Sequence, residues 1–220
     1  MEDAERSHVE VRDLRPDESA AAVALLARGM ADNPLNVAAY GDRSEQGLKR
    51  MFAARFRVFG SARDLVAVEN GVLVGVAGSL PAGTCQATAL QRVRFLPAII
   101  AIGPSTAKRV VRWLAAWAEQ DPITPHSHLG PVAVEPELRG LGVGSALMRE
   151  YCRRLDETGE ASYLETDKAE NVPFYERHGY AVIAEADVLG VRNWFMLREP
   201  ADHAVRSAVV GETRAPRIAG

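Results

Sequence analysis

The sequence predicts an α/β fold, a central sheet flanked by helices, and three observations carry that expectation. A tight hairpin signal occupies residues 65–78. A glycine-rich turn joins a strand pattern to a strong amphipathic helix over residues 129–156. A short helix and two further strand patterns then close the region before residue 198. Strand patterns interleaved with helical ones imply a sheet covered by helices.

Taken in order, residues 9–14 alternate like a short strand, and Pro16 with Asp17 opens a helix carrying Ala22, Val23, Leu25, Leu26 and Met30 at helical spacing. Asn33-Pro34 is expected to end it. A second helix is expected over residues 44–59, with Leu48, Met51, Phe52, Phe56 and Phe59 on one side. The hairpin follows, its two apolar runs separated by Asn70-Gly71, the pair favoured by a two-residue type I′ turn. Residues 81–125 read as a helical insertion punctuated by Pro97, Gly103-Pro104 and Asp121-Pro122, with Val110, Val111, Leu114 and Trp117 as its apolar face. Such an insertion serves either as packing cover or as a substrate wall, and both readings stand at this point.

Residues 129–134 form the next strand, and residues 141–156 a helix buried through Leu147, Met148, Tyr151, Cys152 and Leu155, with Gly159 as its cap. A strand at 161–166, a short helix at 171–178 stopped by Gly179, and strands at 180–188 and 192–197 complete the expected single domain, residues 1–200. Residues 201–220 turn polar and read as a loosely held tail.

Bulk properties narrow the function. The chain has 220 residues, a size for one domain, and a net charge of −3 from 26 basic and 29 acidic side chains. Such a balance offers no general attraction to nucleic acid or an anionic membrane. No stretch approaches the ~18 apolar residues of a membrane span, and the acidic N-terminus lacks a signal-peptide pattern. Cys85 and Cys152 form no CxxC or zinc spacing, and none of the five histidines shares ligand spacing with a cysteine. A cytoplasmic protein without a metal is therefore expected.

The glycine run Arg139, Gly140, Leu141, Gly142, Val143, Gly144 is the most informative segment. It lacks the Gly-Lys-Ser/Thr ending of a P-loop. It also fails the G-x-G-x-x-G dinucleotide pattern at the third glycine, where Ser145 stands, although Glu165 lies at a suitable distance for a ribose-binding acid. The spacing it does satisfy is Arg-x-x-Gly-x-Gly. Small residues there let the main chain approach a pyrophosphate, and free N–H groups at a helix N-terminus donate to it. Arg139 can add a charge-assisted contact.

The segments LGPVAVEPELRGLGVGSAL and YLETDKAENVPFYERHGY resemble the GNAT acetyltransferase superfamily over residues 128–195, and are similar in particular to its puromycin N-acetyltransferase-like branch. The resemblance implies a mixed, mostly antiparallel sheet with a splayed strand, and acetyl-CoA as cosubstrate. It assigns cofactor contacts to Val132, Ala133, Val134, Arg139, Gly140, Leu141, Gly142, Val143, Gly144, Ser145, Asn171 and Tyr175. Pro131 fits the splay, since it removes a ladder donor, though Gly130-Pro131 can also be a plain sheet irregularity. Tyr175 is implied as general acid, a phenol suited to protonate a departing thiolate; on the residues alone, Tyr175 reads equally as a core tyrosine and Asn171 as a helix cap. Glu165 and His128 are the two candidates for the base, acting directly or through water.

The implied activity is direct acetyl transfer to a primary amine of a small molecule, with no covalent enzyme intermediate because neither cysteine has an evident base partner. Protein or peptide amines, and a non-catalytic acetyl-CoA-binding module, are the alternatives. Monomer and homodimer are both open.

Overall fold

The computed structural model of the protein describes residues 9–84 and 86–200; Cys85 and the tail expected at 201–220 lie outside the described residues. Seven strands form one sheet in the order β1-β2-β3-β4-β5-β7-β6. They are β1 (Glu10–Asp13), β2 (Leu65–Glu69), β3 (Val72–Leu80), β4 (Ser127–Val134), β5 (Ser162–Thr166), β6 (Ala181–Val188) and β7 (Val191–Arg198). Every neighbouring pair is antiparallel except β4–β5, which is parallel. The expected mixed, mostly antiparallel sheet is thus what forms.

The β2–β3 hairpin turns where expected, with Asn70 and Gly71 both at positive φ (51° and 79°), the geometry a type I′ turn demands. Strand β2 is apolar throughout because both of its faces are covered, and alternation divides its side chains between two layers. Leu65 and Ala67 face the cluster built on α6 (Val143–Thr158), with Leu147, Met148, Tyr151 and Leu155. Val66 and Val68 face the opposite cluster, where α1 (Ser19–Gly29) contributes Ala22, Leu25 and Leu26, and α3 (Ser44–Phe59) adds Phe52 and Phe56. Gly159 ends α6 in the left-handed conformation, as its position suggested.

Two expectations require correction. Asn33-Pro34 ends α1 but opens another helix, α2 (Pro34–Tyr40), with proline at its first position, where a missing N–H costs nothing. Asp167, far along the chain, accepts the Leu35 N–H at 2.7 Å and the Asn33 amide at 3.3 Å, satisfying donors that the local sequence leaves open.

The insertion forms α4 (Ala89–Ala101) and α5 (Pro104–Ala118), and α4 runs through Pro97. On α5 the inward stripe is Val110, Trp113 and Trp117, spaced three and four apart; Val111 and Leu114 are half-exposed and do not belong to it. Val110 and Trp113 pack with Ala39, Tyr40 and Leu48 of α2 and α3.

A buried ion pair ties α3 to the sheet. Arg55 donates to both carboxylate oxygens of Asp64 at 2.8 and 2.9 Å, and Asp64 also accepts the Ser79 N–H at 2.9 Å. Asp64 is 1 % exposed. Asp64→Ala therefore strands a buried guanidinium, and we expect a loss of about 3–5 kcal/mol of stability, measured by urea unfolding. Replacing both partners by apolar residues should cost much less than the single change.

Candidate active site

The site begins with a defect in the sheet. Strand β4 carries the cis peptide Gly130-Pro131. Opposite it, the β3–β4 register shifts between Ala77 and Ser79. On its other side β4 pairs with β5 only at Ser127↔Ser162 and His128↔Tyr163. Beyond His128 the two strands part, so that residues 132–134 are held by β3 on one side and open on the other. Strand β5 continues to Thr166 alongside β7 alone. A wedge results, narrow at His128 and wide toward the glycine run.

At the wide end, the run folds as a loop with Gly140 and Gly142 at φ 79° and 92°, values that a side chain would strain. Gly142 occupies the position before α6 and, lacking a side chain, leaves the first-turn amides of Val143, Gly144 and Ser145 uncapped. Those N–H groups and the helix dipole together make an anion-binding end. Leu141 is largely exposed at the loop tip.

The Arg139 side chain turns toward α1. Its guanidinium donates to Asp32 at 2.8 and 3.2 Å and to the Gly29 carbonyl at 2.6 Å, and Lys168 shares the same Asp32 at 3.2 Å. Arg139 first, and then Lys168, holds the Asp32 carboxyl below its ordinary range. Gly29 lets α1 lie close against β4, because an added Cβ would sit 2.9 Å from the Ala133 Cβ and 3.1 Å from the Val134 oxygen.

Beside the start of α6 lies the short helix α7 (Val172–Glu176), whose Phe174 ring stands 3.5 Å from where a side chain at Gly144 would begin. Tyr175 is buried, its ring edge-on to Phe174 and Tyr180 at 5.1 and 5.9 Å. Burial pushes its phenol well above the ordinary value, so it remains protonated. Asn171 does not cap α7; its amide donates to Thr166 at 3.1 Å, fastening the turn after β5.

At the narrow end the two candidate bases meet. His128 Nε2 lies 2.9 Å from Glu165 Oε2, and the Glu165 side chain is only 4 % exposed. Register explains the meeting: His128 pairs with Tyr163, and Glu165, two residues on, shares the face of Tyr163. No hydrogen bond among the described residues joins Tyr175 to either.

The insertion covers this end. Trp117 donates from α5 to Asn193 of β7 at 3.1 Å, and Tyr163 donates to the Gln120 carbonyl at 3.3 Å. The chain leaving α5 then brings Asp121 to His126, 3.0 Å apart. Asp32 escaped the sequence reading, because its partners Arg139 and Lys168 are reached only through the fold.

The model of the family described as "Acetyltransferase (GNAT) family" matches residues 34–180. Among solved structures, the chain resembles a "histone acetyltransferase HPA2 and related acetyltransferase" from Corynebacterium glutamicum, with TM-score 0.64 and 20 % identity over 88 % of this chain and 97 % of that one. It also resembles a polyamine N-acetyltransferase from Drosophila melanogaster, with TM-score 0.62 and 14 % identity over 87 % of this chain and 100 % of that one. A third is arylalkylamine N-acetyltransferase 2 from Aedes aegypti, with TM-score 0.63 and 13 % identity over 88 % of this chain and 100 % of that one. At these identities the likeness carries the fold, while the family model spans well over half of the chain. The chain belongs to the GNAT acetyltransferase family and is an acetyl-CoA-dependent N-acetyltransferase.

Proposed function

We propose that the protein acetylates a primary amine of a small molecule by direct transfer. The observation that carries this reading is the Glu165–His128 pair, held at the closed end of the wedge under the 81–125 insertion. A carboxylate there attracts an ammonium group, and the roof favours a compact acceptor over a protein chain. The polyamine and arylalkylamine enzymes of like fold support the same class, and Tyr163, Leu164 and Glu165 keep the likeness to the puromycin-type branch within the proposal.

The residues fit acetyl-CoA. In this proposal the amides of Gly142, Val143, Gly144 and Ser145 receive the pyrophosphate, with Gly140, Leu141 and Arg139 shaping the loop. The open edge of Val132, Ala133 and Val134 accepts the pantetheine arm as an added strand would be accepted, and Asn171 steadies the turn beside it. Acetyl-CoA supplies the activated acyl group. A main-chain N–H of the open edge stabilises negative charge on the acyl oxygen. Glu165, oriented by His128, takes the proton that makes the amine nucleophilic, and Tyr175 donates a proton to the leaving sulfur. Burial raises the Cys152 thiol to about 11, so it stays neutral and is a poor nucleophile.

Free-CoA release with acetyl-CoA and panels of small amines and of peptides tests the reading. Turnover of small amines alone is expected; peptide-only turnover would overturn it, and thermal stabilisation by cofactor without release from any amine would indicate a binding module. Tyr175→Phe should lower kcat by about 10²-fold or more, measured on the best amine. Glu165→Gln should reduce kcat/KM by a similar factor of about 10², and His128→Gln by less; equal losses would make His128 the base. A Cys85→Ala/Cys152→Ala protein should keep its turnover, and loss of acyl transfer in it would argue for a thiol intermediate.

A further inference from the structure

The helical insertion carries an apolar face that neither the core nor the wedge uses. On α4, Leu90, Val93, Leu96 and Ile100 recur at intervals of three and four residues and so form one stripe along the helix. All four face solvent, from 49 % exposed at Leu96 to 75 % at Ile100. Arg92 and Arg94 flank Val93 in sequence, which sets them about 100° to either side of it. Both are exposed, and they border the stripe on its two edges. On α5, Val111 and Leu114 are also half-exposed, with the exposed Lys108 and Arg112 beside them.

Both helices already have inner faces. The Phe95 ring lies 5.8 Å from that of Phe59 on α3, and Ile99 and Ile102 of α4 pack in one cluster with Val110 and Trp113 of α5. Arg50 of α3 donates to the Ala101 carbonyl at 2.9 Å, and Arg109 turns inward to the Ala39 carbonyl at 2.7 Å. The exposed stripes are therefore the outer faces, pointing away from a shared cluster.

Charge singles this surface out. The whole chain carries −3, yet no aspartate or glutamate occurs between Glu69 and Glu119, a span that holds Arg92, Arg94, Lys108, Arg109 and Arg112. The overall balance hides a patch that is apolar and cationic together, the combination found in helices that lie in the plane of a membrane interface. We propose that the α4–α5 pair is a peripheral docking surface for an anionic phospholipid bilayer. The apolar side chains enter the boundary between headgroups and acyl chains, while Arg92, Arg94, Lys108 and Arg112 pair with lipid phosphates. No helix among the described residues is long and apolar enough to cross a membrane, so the contact is with one leaflet. A second copy docked face to face would set these same cations against each other, with no acid from either helix to offset them. A bilayer also needs no pocket to receive side chains that project singly.

Cosedimentation of the full-length protein with vesicles of phosphatidylcholine, with and without phosphatidylglycerol, tests the surface. Binding to the anionic vesicles is expected, weakening as salt is raised. Val93→Ser with Ile100→Ser, and separately Arg94→Gln with Arg112→Gln, should each weaken it by about tenfold or more. Arg153→Gln, on α6 across the sheet, should bind as the parent does. Circular dichroism and thermal stabilisation by acetyl-CoA should match the parent in every variant, since the altered side chains are exposed and outside the wedge. Equal binding to neutral vesicles would overturn the proposal, because the basic border would then contribute nothing. Anionic binding undiminished in both double variants would overturn it by assigning the contact to another surface. No binding to either vesicle would overturn it as well; variant-sensitive binding of poly-glutamate would then give the face to an acidic protein, and variant-sensitive dimerisation in sedimentation would give it to a second copy.

Discussion

Strand β4 must satisfy its main-chain groups with two different neighbours, and beyond His128 it has only one of them. In an interior sheet strand, unpaired N–H and C=O groups are costly unless a ligand or solvent reaches them. The parting of β4 from β5 supplies that access, and the rest of the site is arranged along it. The glycine loop and the first turn of α6 stand at the wide end, and Glu165 meets His128 at the narrow one. Pro131, which has no N–H to offer, sits at the irregularity in the β3–β4 ladder.

Charge pairs set between distant segments hold these parts in place, and their weights differ. The Arg55–Asp64 pair is buried and bidentate, so breaking one partner leaves an expensive orphan. The Arg139–Asp32–Lys168 group at the mouth of the wedge is far more exposed; solvent screens it, and its contribution is positional. Asp167 stands between these cases. It caps the first turn of α2, and burial raises its carboxyl above the ordinary range. The helix missed in the sequence is thereby tied to the loop that follows β5.

What could be read from the sequence was governed by locality. The Asn70-Gly71 turn, the span of α3 and the buried face of α6 follow from residues within a few positions of one another, and they formed as expected. The meeting of Glu165 and His128 required the β4–β5 register, a relation between segments some forty residues apart, so only their separate candidacies were visible. Helix α2 was hidden because its cap comes from Asp167. The face of α5 was misjudged because apolar residues fall on both of its sides, and only contact with α2 and α3 decides which are covered.

The order of strands has a consequence for how the molecule is made. Strand β7, last to be synthesised among the described strands, lies between β5 and β6. Until it emerges, β5 has β4 as a neighbour at only two positions and otherwise presents an unpaired edge. The β1–β4 half can assemble earlier, because its antiparallel neighbours arrive in chain order. Glu165 itself pairs across the ladder with Phe195 of that last strand. A nascent chain thus has its glycine loop and α6 in hand well before the strand that flanks Glu165 is made, so the two ends of the wedge are completed at different times.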